Sequence, residues 1–164
     1  MKRVLVVCAA LAAAGCSSVH SSARLAEDNK AVAMKFVERV NKGDLSVVEE
    51  IFDPAYVEHE PAPGLPPTRE GLKQMFSMYL KAFPDMKISV SHVVAEGDLV
   101  LIHHSTTGTN KGEFMGMPAT GKTVKFNEMH LVRFANGKAV EHWGVEDSMS
   151  MMQQLGLLPA PGKK

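Results

Sequence analysis

Apolar residues recur every three or four positions in the first half of the chain, and this spacing predicts three helices. The first covers residues 25–42 and ends at Gly43, because glycine readily takes the left-handed conformation found at helix C-termini. The second is short, covers residues 45–52 and has Asp44 as its expected N-cap. A proline-rich loop, EPAPGLPP, then precedes the third and clearest helix, over about residues 69–83.

Beyond this helix the apolar period changes from helical to alternating, which is typical of half-buried strands. Four strands are predicted, at residues 86–94, 99–107, 123–134 and 139–147. In the first of them, one face is expected to carry Met86, Ile88, Val90, His92 and Val94. A short helix over residues 149–155 closes the domain. Helices followed by antiparallel strands indicate an α+β fold, in which a curved sheet wraps over the helices.

The N-terminal segment is typical of a bacterial lipoprotein signal. Two basic residues precede an apolar run that is too short to span a bilayer, and small residues lead to Cys16. We therefore expect a signal peptide at residues 1–15, a lipidated Cys16, a tether over residues 16–24, one domain over residues 25–159 and a flexible tail at residues 160–164. Ser17 favours an outer-membrane lipoprotein that faces the periplasm. The alternative is an ordinary signal peptide cleaved near Gly15.

The charge of the chain argues against nucleic-acid binding, and its cysteine content argues against a disulfide in the folded domain. Removing Lys2 and Arg3 from the 18 basic residues leaves 16 against 18 acidic ones, a net charge of −2. This balance, with no basic cluster apart from the two terminal lysines, gives no support to nucleic-acid binding. Cys8 would leave with the signal and Cys16 would carry lipid, so the folded domain has no disulfide and depends on its apolar core.

Five segments carry a family resemblance through their sequence, order and spacing. They are YVEHEP, AFPDMKISV, EGDLVLIHHSTTGTNKGEFMGMPATGK, NEMHLVRFANGKAVEHWGVED and QQLGLLP. Together they resemble the SnoaL-like polyketide cyclase (ester cyclase) family over about residues 28–159. The resemblance implies a cone-shaped α+β barrel of the NTF2-like superfamily, often a homodimer through the outside of its sheet. It also implies ring closure by intramolecular aldol condensation, with an aspartate as general acid and base and without a metal or organic cofactor.

Two positions depart from the family pattern. Members often read GTHxG where this chain has GTNKG at residues 108–112, so the histidine is missing. Many also carry an arginine in the preceding strand, where this chain offers His103 and His104. The polar contacts of the pocket, and with them the substrate, are therefore expected to differ from those of the founding members.

The resemblance implies catalytic roles for Asp147 and His130. Asp147 matches the catalytic aspartate of the family, and burial in an apolar cone would raise its pKa towards the range needed for proton transfer. The alternative is that Asp147 caps the closing helix. His130 matches a family histidine and shares a strand face with Glu128, which is expected beside it in the pocket. His130 could bond to Asp147 or polarise a carbonyl, or it could only bridge two strands.

Other side chains are expected to line the same pocket. Alternation in the last strand puts Trp143 on the face of Asp147, where it would form a flat apolar wall unless it is ordinary core. His142 then faces a dimer interface or solvent. His59 matches a family histidine that reaches into the pocket. The rest of the expected lining is Tyr56, Phe76 and Tyr79, of which the last two could simply pack the third helix.

The spacing of the seven histidines does not indicate a metal site. His103 and His104 are neighbours on one strand and cannot bind the same ion, and no HExxH or similar pair occurs. A serine nucleophile lacks the GxSxG turn that would present it. We therefore expect no metal, and the resemblance implies no organic cofactor.

Two functions remain after these exclusions. The first is an exported enzyme that performs acid/base cyclisation, isomerisation or hydration of a small, largely apolar carbonyl compound. The alternative is a non-catalytic lipoprotein that binds a small apolar ligand or serves as a dimeric scaffold. An open apolar cavity with a desolvated carboxyl favours the enzyme, whereas a cone filled by its own side chains favours the scaffold.

Overall fold

Four helices and a five-stranded sheet make up residues 10–159, the part of the chain that this computed structural model describes, with side chains described from residue 22. The helices are α1 (Ala10–Val40), α2 (Val47–Ile51), α3 (Arg69–Ala82) and α4 (Ser148–Leu155). The strands are β1 (Phe52–Glu58), β2 (Lys87–Glu96), β3 (Leu99–Thr109), β4 (Thr123–Ala135) and β5 (Lys138–Glu146). The predicted α+β class is confirmed. The predicted tail at residues 160–164 lies outside the described residues.

The strand order is β1-β5-β4-β3-β2, with β1 parallel to β5 and every other pair antiparallel. Side chains alternate across the sheet, most clearly in β3, where Val100, Ile102, His104 and Thr106 are buried. This inner face packs against α1 and α3. One apolar core results, and its largest members outside the sheet include Val40, Val47, Phe83, Phe114 and Leu155.

A bulge between Val90 and His92 reverses the faces of β2. Ile88 is buried as predicted, but after the bulge Val93 packs against the core, whereas Val94 is 60% exposed. One extra residue on a strand moves every later side chain to the opposite face. The prediction that His92 and Val94 share a face with Ile88 is therefore wrong.

A second bulge, in β5, decides which side chains face the core. Ala139 pairs with Phe134 and Glu141 pairs with Arg133, so Val140 is the extra residue. After it, His142 pairs with Val132 and lies on the inner face, and Trp143 lies on the outer face. The sequence predicted the reverse for both residues, because simple alternation holds only without a bulge.

β1 is the one strand that the apolar spacing did not predict. The second helix ends at Ile51, and the chain continues as an edge strand that pairs with β5. An edge position tolerates Pro54, which has no backbone N–H to donate. His59 extends this pairing through its backbone N–H, which donates to the carbonyl of His142 at 3.0 Å. The pairing brings β1 side chains beside those of β5.

α1 is longer than the sequence predicted. It begins at Ala10 and runs through residues 16–24, where a tether was expected. Residues 1–9 of the expected signal lie outside the described residues, and cleavage and lipidation of the segment stay predictions. Within the described part of the chain, no helix is both long and apolar enough to cross a membrane.

Candidate functional site

An apolar cavity of about 580 Å³ lies between the inner face of the sheet, α1, α3 and the proline-rich loop. This volume is within the range of sites that bind small organic molecules. Three of the predicted lining residues, Tyr56, Phe76 and Tyr79, do line it. Whether they touch a substrate stays a prediction. The cone is therefore open inside rather than filled by its own side chains.

Five of the ionisable side chains in the lining lie close together on one side of the cavity, and we call these five the polar wall. They are Glu58 on β1, His104 on β3, Glu128 and His130 on β4, and His142 on β5. Strand register brings them together: His104 pairs with Glu128, and His130 pairs with Gly144, which has no side chain to separate the two flanking rings. The three imidazoles stack in sequence, with 5.0 Å between the centroids of each neighbouring pair.

A continuous chain of hydrogen bonds runs along most of the polar wall. Tyr56 Oη donates to Glu58 Oε2 at 2.7 Å, and Glu58 lies 2.7 and 2.8 Å from Nδ1 of His142. The Nε2 atom of His142 is 2.8 Å from Nδ1 of His130, whose Nε2 lies 3.4 Å from Glu128 Oε2. Two carboxylates are thus connected through two imidazoles, an arrangement that can hold and redistribute a proton.

The surroundings of Glu58 and Glu128 keep both carboxyls ionised at neutral pH. Burial acts to raise the pKa of Glu58, but hydrogen bonds from His142 and Tyr56 outweigh it and hold the pKa below its ordinary value. Burial also acts to raise the pKa of Glu128, and the hydrogen bond from His130 with the nearby His104 and Thr106 lowers it overall. The polar wall therefore offers two proton-accepting carboxylates.

Burial keeps three ionisable side chains of the site uncharged at neutral pH. Burial lowers the pKa of His104 to about 4, although the Glu128 carboxylate acts in the opposite direction, so His104 is neutral at pH 7. Burial likewise raises the pKa of Tyr56 and of Tyr79, and both hydroxyls stay protonated. Tyr79 Oη donates to Glu146 Oε2 at 3.2 Å and forms a second, more exposed polar contact in the lining.

Asp147 does not lie in the lining of the cavity. It is exposed and stands at the N-cap of α4, where its Oδ1 accepts a hydrogen bond from the backbone N–H of Ser150 at 3.0 Å. The burial in the cone that the catalytic role required is therefore absent, and the alternative cap role is observed. The expected contact between Asp147 and His130 is also not present.

His59 and Trp143 contact each other on the outer side of the sheet instead of lining the cavity. Their rings stack with a centroid distance of 4.4 Å and an interplanar angle of 3°. Arg133 Cζ lies 5.8 Å from the Trp143 ring, and His59 Nε2 lies 3.0 Å from Glu141 Oε2. Both predicted pocket positions are wrong: the bulge at Val140 turns Trp143 outward, and His59 stacks on Trp143 there.

Sequence reasoning missed three members of the polar wall. Glu58 belongs to the strand that was not predicted, and His142 was assigned to the opposite face. His104 was noted only as a departure from the family pattern and as an unsuitable metal ligand. Its parity with Ile102 and Thr106 in β3 is the signal that could have placed it inside. With Glu128 and His130 it forms a group of potential metal ligands that local spacing did not reveal.

Comparisons with known proteins agree with the fold described above. The profile of the family described as SnoaL-like polyketide cyclase matches residues 31–155. The aklanonic acid methyl ester cyclase DnrD of Streptomyces peucetius is 37% identical over 49 residues, 30% of this chain, and the chain spans about a third (34%) of DnrD. AclR of Streptomyces galilaeus, a proposed hydroxylase, is 31% identical with a TM-score of 0.75, over 84% of this chain and 87% of AclR. IdmH of Streptomyces antibioticus, a proposed polyketide cyclase, is 34% identical with a TM-score of 0.69, over 78% of this chain and 98% of IdmH.

Proposed function

Because this chain belongs to the SnoaL-like polyketide cyclase family, we propose that it is a cyclase or isomerase that transfers a proton within a small, largely apolar carbonyl compound. The observation that carries the proposal is an ionised Glu128, hydrogen-bonded to His130, in the wall of an otherwise apolar cavity. Such a cavity binds the carbon skeleton, and the carboxylate supplies the base that carbon acids require.

The proposed reaction needs only proton movements. Glu128 takes a proton from the carbon next to a carbonyl group, and the C–H electron pair forms an enolate. In a cyclisation, the enolate carbon attacks a second carbonyl of the same molecule, and the resulting alkoxide takes the proton back from Glu128. In an isomerisation, the proton returns to another carbon. The proton between His130 Nε2 and Glu128 can lie on His130, and His130 then stabilises the enolate oxygen by donating a hydrogen bond to it.

Glu128 replaces Asp147 as the expected base in this proposal. A general base must lie within hydrogen-bond reach of the substrate proton, and Asp147 is exposed and engaged in capping α4. Glu128 lies on the cavity wall, with its side chain 13% exposed. The sequence carries both carboxyls in the segment that resembles the family, so a single substitution at each position separates the two roles.

Deuterium exchange tests the proposal without knowledge of the natural substrate. A panel of small β-keto esters and diketones is incubated with the protein and a chelator in deuterated water, and NMR follows loss of the α-hydrogens. We expect acceleration by the wild type, a loss of about 10²-fold or more in Glu128→Gln, and retained exchange in Asp147→Asn. If Asp147→Asn loses the acceleration of exchange and Glu128→Gln keeps it, the base is Asp147. Ligand binding without acceleration by the wild type would favour the non-catalytic alternative.

We also propose that the protein is exported and anchored through lipid on Cys16, facing the periplasm from the outer membrane. The support is the sequence of residues 1–16, with its basic start, apolar run and small residues before the cysteine. Labelling with radioactive palmitate should mark the wild type and not Cys16→Ser, and membrane fractionation should locate the labelled protein. A cleaved, secreted and unlabelled chain would instead identify an ordinary signal peptide.

A homodimer through the outer face of the sheet is a further proposal. This face exposes Val94, Met129 and Val145 by 60%, 43% and 64%. Light scattering coupled to size exclusion should give twice the chain mass for the wild type, and Val145→Glu should give the monomer. Met149→Glu is the control, because Met149 is 66% exposed on α4 rather than on the sheet. A monomeric wild type would remove the proposal.

A further inference from the structure

Three side chains of the polar wall converge beside the cavity. One ligand atom each from His104, Glu128 and His130 lies within 4.8 Å of the others. Glu128 Oε1 is 3.5 Å from His104 Nδ1, and Glu128 Oε2 is 3.4 Å from His130 Nε2. Ligands at bonds of about 2.1 Å around a tetrahedral ion stand about 3.4 Å apart. Small side-chain movements would therefore let one ion contact all three residues.

His104 has a buried ring nitrogen that no protein group satisfies. The residue is 5% exposed, and its Nδ1 has no hydrogen-bond partner among the residues whose side chains are described. The Glu128 oxygen at 3.5 Å is too far for a normal N–H···O bond. A buried polar atom without a partner is unfavourable, and an ion between His104 and Glu128 would satisfy both groups.

The hydrogen-bond chain directs the lone pair of His130 at Glu128. The Glu58 carboxylate accepts from Nδ1–H of His142, so a neutral His142 presents a lone pair at Nε2. His130 must then donate to that atom from its own Nδ1. Its Nε2 is left with a lone pair, 3.4 Å from a carboxylate oxygen. The hydrogen bond between these two atoms therefore requires one further proton, and a cation can take the place of that proton.

The same chain provides the outer contacts that metal-binding histidines use. A ligating histidine usually donates its second N–H to another group, and this fixes its tautomer and orientation. His130 does so through His142, which is in turn held by Glu58. The Thr106 hydroxyl also helps to lower the pKa of Glu128 and so favours its charged form.

We propose that His104 Nδ1, a carboxylate oxygen of Glu128 and His130 Nε2 bind one divalent transition-metal ion, with a remaining coordination position directed at the cavity. Two imidazoles and one carboxylate suit zinc, iron, cobalt or nickel better than magnesium or calcium, which prefer oxygen ligands. The ion would occupy atoms of Glu128 and His130 that the proposed proton transfer uses. The metal-bound and proton-transferring states therefore exclude each other, and the proposal does not depend on the proposed reaction.

Metal titration of the full chain tests the site directly. After treatment with chelator and dialysis, Zn²⁺ is titrated by calorimetry and Co²⁺ by visible absorption. We expect one ion per chain, and a loss of affinity of about 10-fold or more in each of His104→Gln, Glu128→Gln and His130→Gln. X-ray absorption of the zinc-loaded wild type should show two imidazole ligands, a result that does not depend on any variant folding.

The matched control removes a histidine pair on the outer face of the sheet. His92 and His103 lie on the outer face with their Nδ1 atoms 3.4 Å apart, and their rings stack. The double variant His92→Gln/His103→Gln should bind the ion as the wild type does. A Zn²⁺ concentration that just saturates the wild type should also raise the Tm of the wild type and of this control, and should raise the Tm of His130→Gln less.

Three results of the titrations would overturn the proposal. They are no saturable binding by the wild type, binding that persists in all three inner variants, and binding lost in the outer double variant. Absorption spectra with fewer than two imidazoles would do the same. Because deuterium exchange is measured with a chelator present and metal titration uses no substrate, failure of the metal site and failure of the proposed reaction are separate outcomes.

Discussion

The Nε2 atom of His142 lies 2.8 Å from Nδ1 of His130, and this contact joins two carboxylates that are 70 positions apart in the sequence, Glu58 and Glu128. Because Glu58 holds the other nitrogen of His142, one carboxylate sets the tautomers of both rings. We expect metal-free protein at neutral pH to show His142 with its proton on Nδ1, measured by long-range ¹H–¹⁵N NMR. His103 on the outer face is the reference ring. A majority of the Nε2–H form of His142 would contradict the deduced chain.

Glu58 should make stability depend on pH in the acid range. Its pKa is held below the ordinary value of 4.5 in the folded state, so the folded protein binds fewer protons than the unfolded chain as pH falls through that region. The stabilisation is complete above about pH 4.5 and is lost on acidification. Glu58→Gln should therefore cost about 1–2 kcal/mol at pH 7, and the difference from wild type should shrink as pH falls below 4.5.

Urea unfolding with a chelator present measures this difference at several pH values. Glu113→Gln is the control, since Glu113 is exposed in a loop outside the polar wall. A difference between wild type and Glu58→Gln that stays constant from pH 7 to below 4.5 would show that Glu58 is not stabilised as an anion.

Gly144 should be indispensable to the His130–His142 contact for reasons of space. A Cβ atom there would lie 2.7 Å from His130 Nδ1 and 3.0 Å from His142 Cε1. Gly144→Ala should displace one of the rings and lower the free energy of unfolding by about 1–3 kcal/mol. Val145→Ala, the neighbouring change on the exposed face, should cost much less. Equal stability of Gly144→Ala and wild type, with unchanged ring chemical shifts, would be incompatible with the close packing of the two imidazoles.

The general architecture could be predicted from the sequence because periodicity reports directly on secondary structure. Apolar spacing placed α3 and four of the strands within a few residues, and alternation correctly grouped Glu128 with His130 on β4. The same spacing did not predict β1, because its sequence FDPAYVE contains a proline and shows little alternation. That strand forms because β5 offers it an edge, which is a tertiary effect.

The site could not be predicted in the same way, because one extra residue decides it. Val140 carries no sequence signal that marks a bulge, yet it puts His142 inside and Trp143 outside. The polar wall also joins four strands, and contacts such as Glu58 to His142 follow from strand order rather than from spacing. For Asp147 the sequence left two roles open, and only the position of α4 distinguishes them.

Asp147 should behave as a helix cap when substituted. Asparagine caps helices about as well as aspartate, whereas alanine does not. Asp147→Asn should therefore leave stability nearly unchanged, and Asp147→Ala should cost about 1 kcal/mol, both measured by urea unfolding. Deuterium exchange should be the same in Asp147→Asn and wild type. An exchange rate reduced 100-fold or more in a stably folded Asp147→Asn would instead return the catalytic role to this residue.

Trp143 should contribute little to ligand binding because it lies outside the cavity. An apolar dye, 1-anilinonaphthalene-8-sulfonate, serves as the probe for the cavity. Trp143→Phe should bind the dye within about twofold of wild type, since its ring stacks on His59 rather than on a ligand. Phe76→Leu should weaken binding about fivefold, because it removes aromatic surface worth about 1 kcal/mol from the lining. Fluorescence titration measures both affinities, and circular dichroism confirms that the variants fold. Weaker binding in Trp143→Phe than in Phe76→Leu would place the ligand on the outer face, and the cavity would then not be the binding site.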